Sequence, residues 1–448
     1  LEVVRPEIYY GERTDQYVIT NTRLPEFNYP MGSDNATTTY QGAGGVPLAT
    51  PLHRLAFAAR FGTTKLLLSS DITSESRVHF RRNVMERVGE LAPFFHYDPD
   101  PYLVVHEGRL YWIIDAYTTT SYYPYARPYR NLGNYIRNSV KVVVDAYNGH
   151  VTFYLVDEGD PLAVTYGKIY PELLTPISQM PPGLFAHLRY PERLFEIQSD
   201  ILALYHMRNT TVFYNQEDLW ERAREIVWGT EQQMSPYYTI MRLPGEEQAE
   251  FVLMLPFTPT KRNNMIAWFA ARSDGDKYGQ LLLYRFPKQE LVYGPAQIEA
   301  RIDQDSFISQ QLTLWGQTGS RVLRGNLLVI PIKNQLLYVE PLFIQAEQSQ
   351  LPELKMVIVA YGNRIVMEPT LEEALELIFG QRRLEEQRPE PRQAEEKTAT
   401  QDLIGRVVEL YRQVTASLQG GDWSAYGRYM ELLEKAILEL AAELEGDD

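Results

Sequence analysis

The fold is indicated most clearly by residues 140–156, which read VKVVVDAYNGHVTFYLV. Two runs rich in β-branched and aromatic residues, at 140–147 and 151–156, flank Asn148 and Gly149. Such side chains favour strands, and Asn-Gly is the dipeptide that two-residue hairpin turns prefer. The stretch therefore predicts a β-hairpin with a two-residue turn, and with it an antiparallel sheet.

The sequence on the N-terminal side of this hairpin predicts further strands and two covering helices. Residues 103–106 and 110–117 form another apolar pair around the turn sequence Glu107-Gly108-Arg109. Apolar residues recur at helical spacing over residues 52–61, and again from a helix start at Ser74-Glu75-Ser76 to residue 91. We expect both helices to pack on the sheet.

The C-terminal side predicts a second region of sheet. Residues 170–207 are helix-like and interrupted by prolines, and strand patterns return after Ser235. Tight hairpins are predicted at Lys333-Asn334 and at Gly362-Asn363, followed by a short helix over residues 371–379.

These patterns predict an α+β fold with mixed, mainly antiparallel sheets in two lobes with covering helices. The predicted domains are an N-terminal α+β lobe (1–168), a helical connector (169–234), a second sheet-rich lobe (235–380), a disordered acidic linker (381–400) and a C-terminal helical hairpin (401–448). The linker is dense in Glu, Arg, Gln and Pro, so it lacks the apolar groups that a core needs.

The amino-acid composition disfavours or excludes several kinds of binding and catalysis. The 448 residues carry a formal net charge of -15, which disfavours nucleic acid as a partner. The chain contains no cysteine, so thiolate catalysis and thiolate metal sites are excluded. No phosphate-binding loop, nucleophile elbow or HExxH motif occurs, and the seven histidines are scattered, which favours structural imidazoles over a histidine metal site.

Three acidic turns are the remaining candidates for metal binding or catalysis. Carboxylates two residues apart in a loop suit hard cations, which bind carboxylate and carbonyl oxygens. The candidate ligands for Ca²⁺ or Mg²⁺ are Asp98 and Asp100 in one turn and Asp274 and Asp276 in another, while Asp157-Glu158-Gly159-Asp160 forms the third turn. The alternative is that Asp and Gly simply form turns here, and no other cofactor is expected.

An aromatic segment is the candidate ligand or partner surface. Residues 117–130 contain five tyrosines and two arginines, a composition suited to stacking on sugars, holding a partner or lying at lipid headgroups. The residues that we single out are Tyr122, Tyr123, Tyr125, Arg127 and Tyr129. The alternative is a structural loop whose tyrosines pack on the sheet.

Four arginines lie along the helix predicted from Ser74. They are Arg77, Arg81, Arg82 and Arg87. They could face anionic lipid, or they could form an ordinary solvated helix face.

No run approaches the roughly 20 apolar residues that span a bilayer. The chain also begins at Leu1 rather than Met. We therefore expect a soluble segment excised from a longer protein.

Several long phrases resemble the bacterial membrane proteins grouped as uncharacterised protein family 0182, over about residues 9–380. They are LLLSS (66–70), FRRNV (80–84), LAPF (91–94), YWIIDAY (111–117), YIRNSVK (135–141), LPFTP (255–259), NMIAW (264–268) and QIEARIDQ (297–304). Later, GDW (421–423) and YG (426–427) resemble the family's tail.

The resemblance implies a large multi-pass membrane protein with transmembrane helices before an extracytoplasmic region, and it transfers no activity or catalytic residue. We expect this chain to be that region, at the cell membrane, acting as a binding or assembly domain rather than an enzyme. Its expected partners are its own N-terminal transmembrane region, other envelope proteins or a second copy. The alternatives are an envelope hydrolase that cleaves glycan or peptide with loop carboxylates, and a lid or gate of a transporter.

Overall fold

The valine-rich hairpin lies at the centre of a six-stranded sheet in a computed structural model of the chain. The structure describes residues 2–386, with gaps at 33, 288, 290, 317–318, 333–334 and 347–350, and isolated positions at 406, 410, 412–413, 429–430, 432–433 and 435–436. For residues 381–386 it describes the backbone alone.

The N-terminal elements are small. They are β1 (Val18–Thr20), β2 (Glu26–Met31), β3 (Asp34–Thr38), β4 (Val46–Pro47), α1 (Pro51–Phe61), α2 (Lys65–Leu68), β5 (Arg77–His79) and α3 (Val84–Leu91). Strands β1, β5 and β4 form one antiparallel sheet, and β2 pairs with β3.

The helix predicted to start at Ser74 is wrong in its first half. Residues 77–79 instead form β5, where Val78 and His79 are buried between two partner strands. Helix α3 begins only after Asn83, whose side chain accepts hydrogen bonds from the backbone N–H groups of Met85 and Glu86. The predicted helix over residues 52–61 is confirmed by α1.

The first sheet contains the long strands. The elements of this part are β6 (His96–Tyr97), β7 (Tyr102–His106), β8 (Arg109–Thr120), β9 (Tyr135–Asp145), β10 (Val151–Leu155), α4 (Pro161–Ile169) and β11 (Leu174–Pro176). The strand order is β11-β10-β9-β8-β6, with β7 also paired to β8. Strands β8 and β9 are covered on both faces, which accounts for their almost continuous apolar runs.

The hairpin of β9 and β10 is confirmed, but its predicted two-residue turn is wrong. Val144 pairs with Val151, and the backbone N–H of Asp145 donates to the carbonyl of His150. The Asp145 carboxylate accepts from the N–H groups of Tyr147 and Asn148, which stabilises a longer loop. Gly149 adopts a φ of +71° in this loop.

Residues 177–233 connect the first sheet to the next. After a 3-10 turn at Ile177–Gln179, they form α5 (Pro182–Phe185), α6 (Glu192–Tyr205), α7 (Thr210–Asn215), β12 (Trp220–Arg222), β13 (Arg224–Val227) and β14 (Thr230–Gln233). The last part of the predicted helical connector is therefore made of strands. β12 joins the middle sheet, and β13 pairs with β14.

Two more antiparallel sheets follow. The remaining elements are β15 (Tyr237–Arg242), β16 (Ala249–Pro259), β17 (Ala267–Arg272), β18 (Leu281–Arg285), α8 (Pro295–Gln304), α9 (Ser306–Trp315), β19 (Ser320–Arg324), β20 (Leu328–Ile332), β21 (Gln335–Ala346), β22 (Glu353–Tyr361), β23 (Arg364–Glu368) and α10 (Leu371–Glu386). The middle sheet has the order β12-β16-β17-β18 with β15 on β16, and the C-terminal sheet has the order β19-β21-β22-β23 with β20 on β21. One apolar cluster joins both sheets to α6, α8 and α9.

The predictions for the C-terminal region have different outcomes. The turn at Gly362-Asn363 is confirmed by pairing of Tyr361 with Arg364, whereas Lys333-Asn334 lies outside the described residues. Helix α10 continues six residues into the predicted linker, and the rest of that linker is not described. The described positions after 400 are helical, and the remainder of the predicted hairpin lies outside the described residues.

The α+β class with mainly antiparallel sheets is confirmed. Residues Leu1–Ile378 form one compact unit and Phe379–Asp448 a second. The predicted domain boundaries at 168, 234 and 380 stay predictions. No helix in the described part of the chain is both long and apolar enough to cross a membrane.

Candidate functional site

The predicted aromatic surface lies in the tyrosine loop, residues 121–134, which connects β8 to β9. The side chain of Tyr122 is 93% exposed, and that of Tyr125 is fully exposed. Arg127 is exposed beside them. The alternative that the tyrosines pack on the sheet therefore fails for Tyr122 and Tyr125. Tyr123 is half-exposed and stacks on Tyr135, with ring centroids 5.4 Å apart.

Asn134 holds the backbone of this loop in place. Its side-chain oxygen accepts from the N–H of Tyr123 at 3.0 Å, and its amide donates to the carbonyls of Tyr123 and Ala126 at 2.7 and 3.1 Å. Tyr125 adopts a φ of +58°, a left-handed conformation that residues other than Gly, Asn and Asp rarely take. The loop therefore presents its most exposed tyrosine on a strained but anchored backbone.

The C-terminal end of the loop is fixed to α6. The Tyr129 hydroxyl donates to Asp200 Oδ2 at 2.6 Å, and Arg130 Nη2 lies 3.9 Å from the same oxygen. Burial, together with this hydrogen bond to a carboxylate, raises the pKa of Tyr129 to about 12. Tyr129 thus anchors the loop, whereas Tyr122, Tyr123, Tyr125 and Arg127 remain available to a partner.

The carboxylates of the first acidic turn already have protein partners. Asp98 is buried and accepts a hydrogen bond from the Tyr117 hydroxyl at 2.5 Å, while Asp100 forms an ion pair with Arg189 at 2.6 Å. Asp98 also accepts from the backbone N–H of Asp100. These contacts occupy the oxygens that a cation would need, so the turn fits a metal poorly.

The two carboxylates of the second acidic turn lie in different surroundings. Asp274 accepts from the backbone N–H of Phe251 at 2.7 Å, and Asp276 is exposed in a 3-10 turn. Among the described residues, no group of three or more His, Asp or Glu side chains is arranged to hold a metal ion. The Ca²⁺ or Mg²⁺ site stays a prediction without a set of ligands to support it.

A buried lysine is the main feature that sequence reasoning missed. Lys141 on β9 is fully buried and forms an ion pair with Asp115, its cross-strand partner on β8. Its Nζ also lies 3.4 Å from the carbonyl oxygen of Arg189 and 5.3 Å from the centre of the Tyr278 ring. A carboxylate, a carbonyl and an aromatic face together satisfy the ammonium group.

Asp98 and Tyr117 adjoin this lysine, so the predicted acidic turn belongs to the same group. The backbone N–H of Asp98 donates to the carbonyl of Asp115, and burial raises the pKa of the Asp98 carboxyl. Burial and the nearby Asp115 and Asp98 charges raise the pKa of Tyr117 well above its ordinary value, so its phenol stays protonated and donates. The lysine cluster is Lys141, Asp115, Asp98, Tyr117 and Arg189.

A second buried ionic group lies near α8. Arg324 pairs with Glu340 through both carboxylate oxygens, and its Nη1 lies 2.7 Å from Asp303 Oδ1. Glu299 on α8 is fully buried and accepts from the backbone N–H of Ile226 at 2.7 Å. We call Arg324, Glu340, Asp303, Glu299 and Glu225 the arginine cluster.

Negative charge is in excess in the arginine cluster. In the described part of the chain, Glu299 Oε2 is buried without a hydrogen-bond partner. Burial, with a contribution from the nearby Glu340 and Glu225 charges, raises the pKa of Glu299 to about 7. The Glu225 carboxylate accepts hydrogen bonds from the side-chain amide of Asn326 and from the backbone N–H of Leu327. Its pKa is also raised, again mainly by burial.

The four arginines predicted to face lipid or solvent are bound to the protein instead. Arg77 donates to the carbonyls of the glycine-rich turn at 43–45, Arg82 to those of Tyr9 and Gln16, and Arg87 to that of Gly149. Arg81 pairs with Glu90 and Glu86. They link β5 and α3 to neighbouring loops.

These features define an α+β domain of antiparallel sheets with an exposed, anchored tyrosine loop and two buried ionic clusters. The chain belongs to the uncharacterised protein family UPF0182, whose family model matches residues 1–315. The resemblance found in the sequence phrases is thereby confirmed.

Relatives in several bacteria match almost the whole chain. A UPF0182 protein of Pelotomaculum thermopropionicum is 54% identical over 445 residues, covering 98% of this chain and 49% of the relative. Another, of Moorella thermoacetica, is 54% identical over 455 residues, covering 99% and 50%. One of Trichodesmium erythraeum is 48% identical over 469 residues, covering 100% and 51%. The chain spans about half the length of these curated relatives, and no solved structure matches it.

Proposed function

We propose that this chain is a binding or assembly domain on the extracytoplasmic side of a bacterial cell membrane, and that the tyrosine loop contacts its partner. One observation carries the proposal. Tyr122, Tyr125 and Arg127 are exposed on a backbone that Asn134 and Tyr129 hold in place. Tyrosine and arginine are enriched among the residues that contribute most to binding at protein interfaces, and a pre-formed loop loses little entropy on binding.

The charge of this region indicates the kind of partner. Residues 116–144 contain no Asp or Glu, in a chain whose formal net charge is -15. Arg127 therefore gives the exposed part of the loop a positive charge, although Asp200 on α6 contacts Tyr129 at the anchored end. Such a surface suits an acidic partner, because the opposite potential steers the encounter and suppresses like-charged competitors.

The location rests on resemblance to the family and on length. By that resemblance, the half of the relatives that this chain does not span would carry transmembrane helices. That half would be the first partner of this domain, with other envelope proteins or a second copy as further partners.

The alternative of an envelope hydrolase has less support. It requires carboxylates that converge on an open pocket. Each buried carboxylate of the two clusters instead has at least one contact with a cation, a hydroxyl or an amide, and Glu299 Oε2, which has none in the described part of the chain, is itself buried. In the described part of the chain, a cavity of about 630 Å³ is lined by Glu217 and Asp218 and one of about 480 Å³ by Asp15 and Glu86, and neither includes a member of the two clusters.

Site-specific crosslinking tests the tyrosine loop. A photo-reactive residue replaces Tyr125 in the full-length protein in its host, and a matched protein carries it at Tyr214, which is 88% exposed on α7. We expect a discrete adduct from position 125 alone, weakened by Arg127→Ser. No adduct from 125, or the same adduct from both positions, would refute the assignment of the loop.

Thiol labelling tests the location separately. This chain has no cysteine, so Tyr214→Cys adds a single thiol to it. In a full-length background freed of other cysteines, we expect a membrane-impermeant maleimide to label intact spheroplasts. Labelling only after lysis would place the domain on the cytoplasmic side, whatever the crosslinking shows.

A further inference from the structure

Helix α1 is apolar on its outer face as well as its inner face. On the inner side, Ala58 is buried, and Phe57 and Phe61 pack against the same small core as Leu48 and Val78. The outer side carries a second apolar stripe at positions i, i+3, i+4 and i+7, formed by Leu52, Leu55, Ala56 and Ala59. Leu52 is 71% and Leu55 53% exposed. A helix on the surface of a globular protein ordinarily shows polar residues there.

Helix α2 packs beside α1 and continues the pattern. Leu66 is buried, whereas Leu68 is 81% and Leu67 41% exposed. We call Leu52, Leu55, Leu67 and Leu68 the outer leucines. Four exposed leucines on two adjoining helices exceed the scattered single apolar residues that a protein surface usually shows.

The chain segment that carries the outer leucines has charges of one sign, although Asp15 and Glu86 of other segments line a cavity together with Arg60. Residues 35–70 contain no Asp or Glu, although the whole chain carries a formal net charge of -15. Arg60 and Lys65 are exposed on the two helices, and neither forms an ion pair with the described residues. This contrasts with Arg81 on the neighbouring segment, which is neutralised by two glutamates.

We propose that α1 and α2 bind the surface of an anionic phospholipid bilayer. Exposed leucines can enter the boundary between headgroups and acyl chains, and basic residues beside them are attracted to anionic headgroups. The absence of Asp and Glu from residues 35–70 lowers the repulsion that the rest of this acidic chain would meet. A second copy fits less well, because a two-fold contact through this face would bring identical basic side chains together.

Vesicle flotation with the 448-residue chain tests the proposal. We expect the protein to float with vesicles containing phosphatidylglycerol and much less with vesicles of phosphatidylcholine alone. Replacing the four outer leucines by serine should weaken binding at least tenfold. Arg60→Gln with Lys65→Gln should remove most of the preference for phosphatidylglycerol and the sensitivity of binding to salt.

A matched variant controls for loss of surface leucines in general. Leu291, Leu314 and Leu354 are also exposed, at 68%, 55% and 55%, and lie outside α1 and α2. Their replacement by serine should leave flotation unchanged, and all variants should keep the unfolding temperature of the parent chain.

Absence of binding to phosphatidylglycerol vesicles, or equal loss in both leucine variants, would overturn the proposal. So would a change from dimer to monomer in the outer-leucine variant without an effect on flotation. The crosslinking result at Tyr125 bears on neither outcome.

Discussion

The lysine cluster and the arginine cluster are both buried between secondary-structure elements, but their charges are balanced differently. In the lysine cluster, Lys141 faces Asp115, a carbonyl and a ring, and Asp98 receives the Tyr117 hydroxyl. In the arginine cluster, the Arg324 guanidinium forms ion pairs with both Glu340 and Asp303. Glu299 has a buried carboxylate oxygen without a partner in the described part of the chain. We therefore expect the stability of the lysine cluster to depend on the ammonium group of Lys141. The stability of the arginine cluster should depend on the protonation of Glu299.

Lys141→Met gives the largest expected effect, because it leaves Asp115 buried without its partner. Removing one member of a buried ion pair costs about 3–5 kcal/mol. We expect the free energy of unfolding to fall by about that amount, measured by urea denaturation at pH 7.

The double variant Lys141→Met, Asp115→Leu separates the charge from the packing. Replacing both partners by apolar groups removes the unpaired carboxylate, so most of the lost stability should return. A single variant that loses less than about 1 kcal/mol would show that the Asp115 carboxylate finds another partner.

Glu299→Gln is expected to have the next largest effect, and its sign depends on pH. The pKa of Glu299 is raised from 4.5 to about 7 in the folded chain. The folded state therefore binds more protons between pH 4.5 and pH 7, so the parent chain loses stability as pH rises through this window. A shift of this size corresponds to a limit on the order of 3 kcal/mol. At pH 8 the variant should be more stable than the parent, and at pH 4 the two should be alike.

The lysine cluster offers a contrast for this pH profile. Urea unfolding of Glu299→Gln and Asp115→Asn between pH 4 and pH 8 would compare the two. We expect only the glutamine variant to gain relative stability with rising pH, because its parent carboxylate is the one without a full set of donors. A Glu299→Gln curve parallel to that of the parent would mean that the pKa of Glu299 is the same in the folded and unfolded chain.

The extent to which the sequence predicts this molecule depends on the distance along the chain between interacting residues. The hairpin around Asn148, helix α1 and the turn at Gly362 follow from local patterns. Residues 77–79 became a strand because β1 and β4 supply pairing partners that local periodicity does not reveal. Likewise, the two-residue turn fails because Asp145 organises a longer loop.

The same reasoning applies to the sites. The tyrosine loop was predictable because its residues are contiguous, although its exposure was not. The lysine cluster joins residues from 98 to 189, and two charges inside apolar runs, Asp115 and Lys141, mark it in the sequence. A lysine or glutamate within an otherwise apolar element could have prompted a search for a buried partner.

Tyr117→Phe should have the smallest effect of the three changes and tests whether the lysine cluster acts as a connected network. The substitution removes the hydroxyl that donates to Asp98 and leaves the ring in place. Loss of one hydrogen bond to a buried carboxylate costs about 1–3 kcal/mol, and the expected value lies in the lower half because Asp98 still accepts from the backbone N–H of Asp100. Tyr125→Phe, at a fully exposed hydroxyl, is the control and should change stability by less than about 0.5 kcal/mol.

If the losses from Tyr117→Phe and Lys141→Met simply add in the double variant, Asp98 and Asp115 are energetically independent despite their shared backbone contact. A combined loss smaller than the sum would show that the two carboxylates respond as one unit, which is the behaviour that separates this balanced cluster from the proton-dependent one around Glu299.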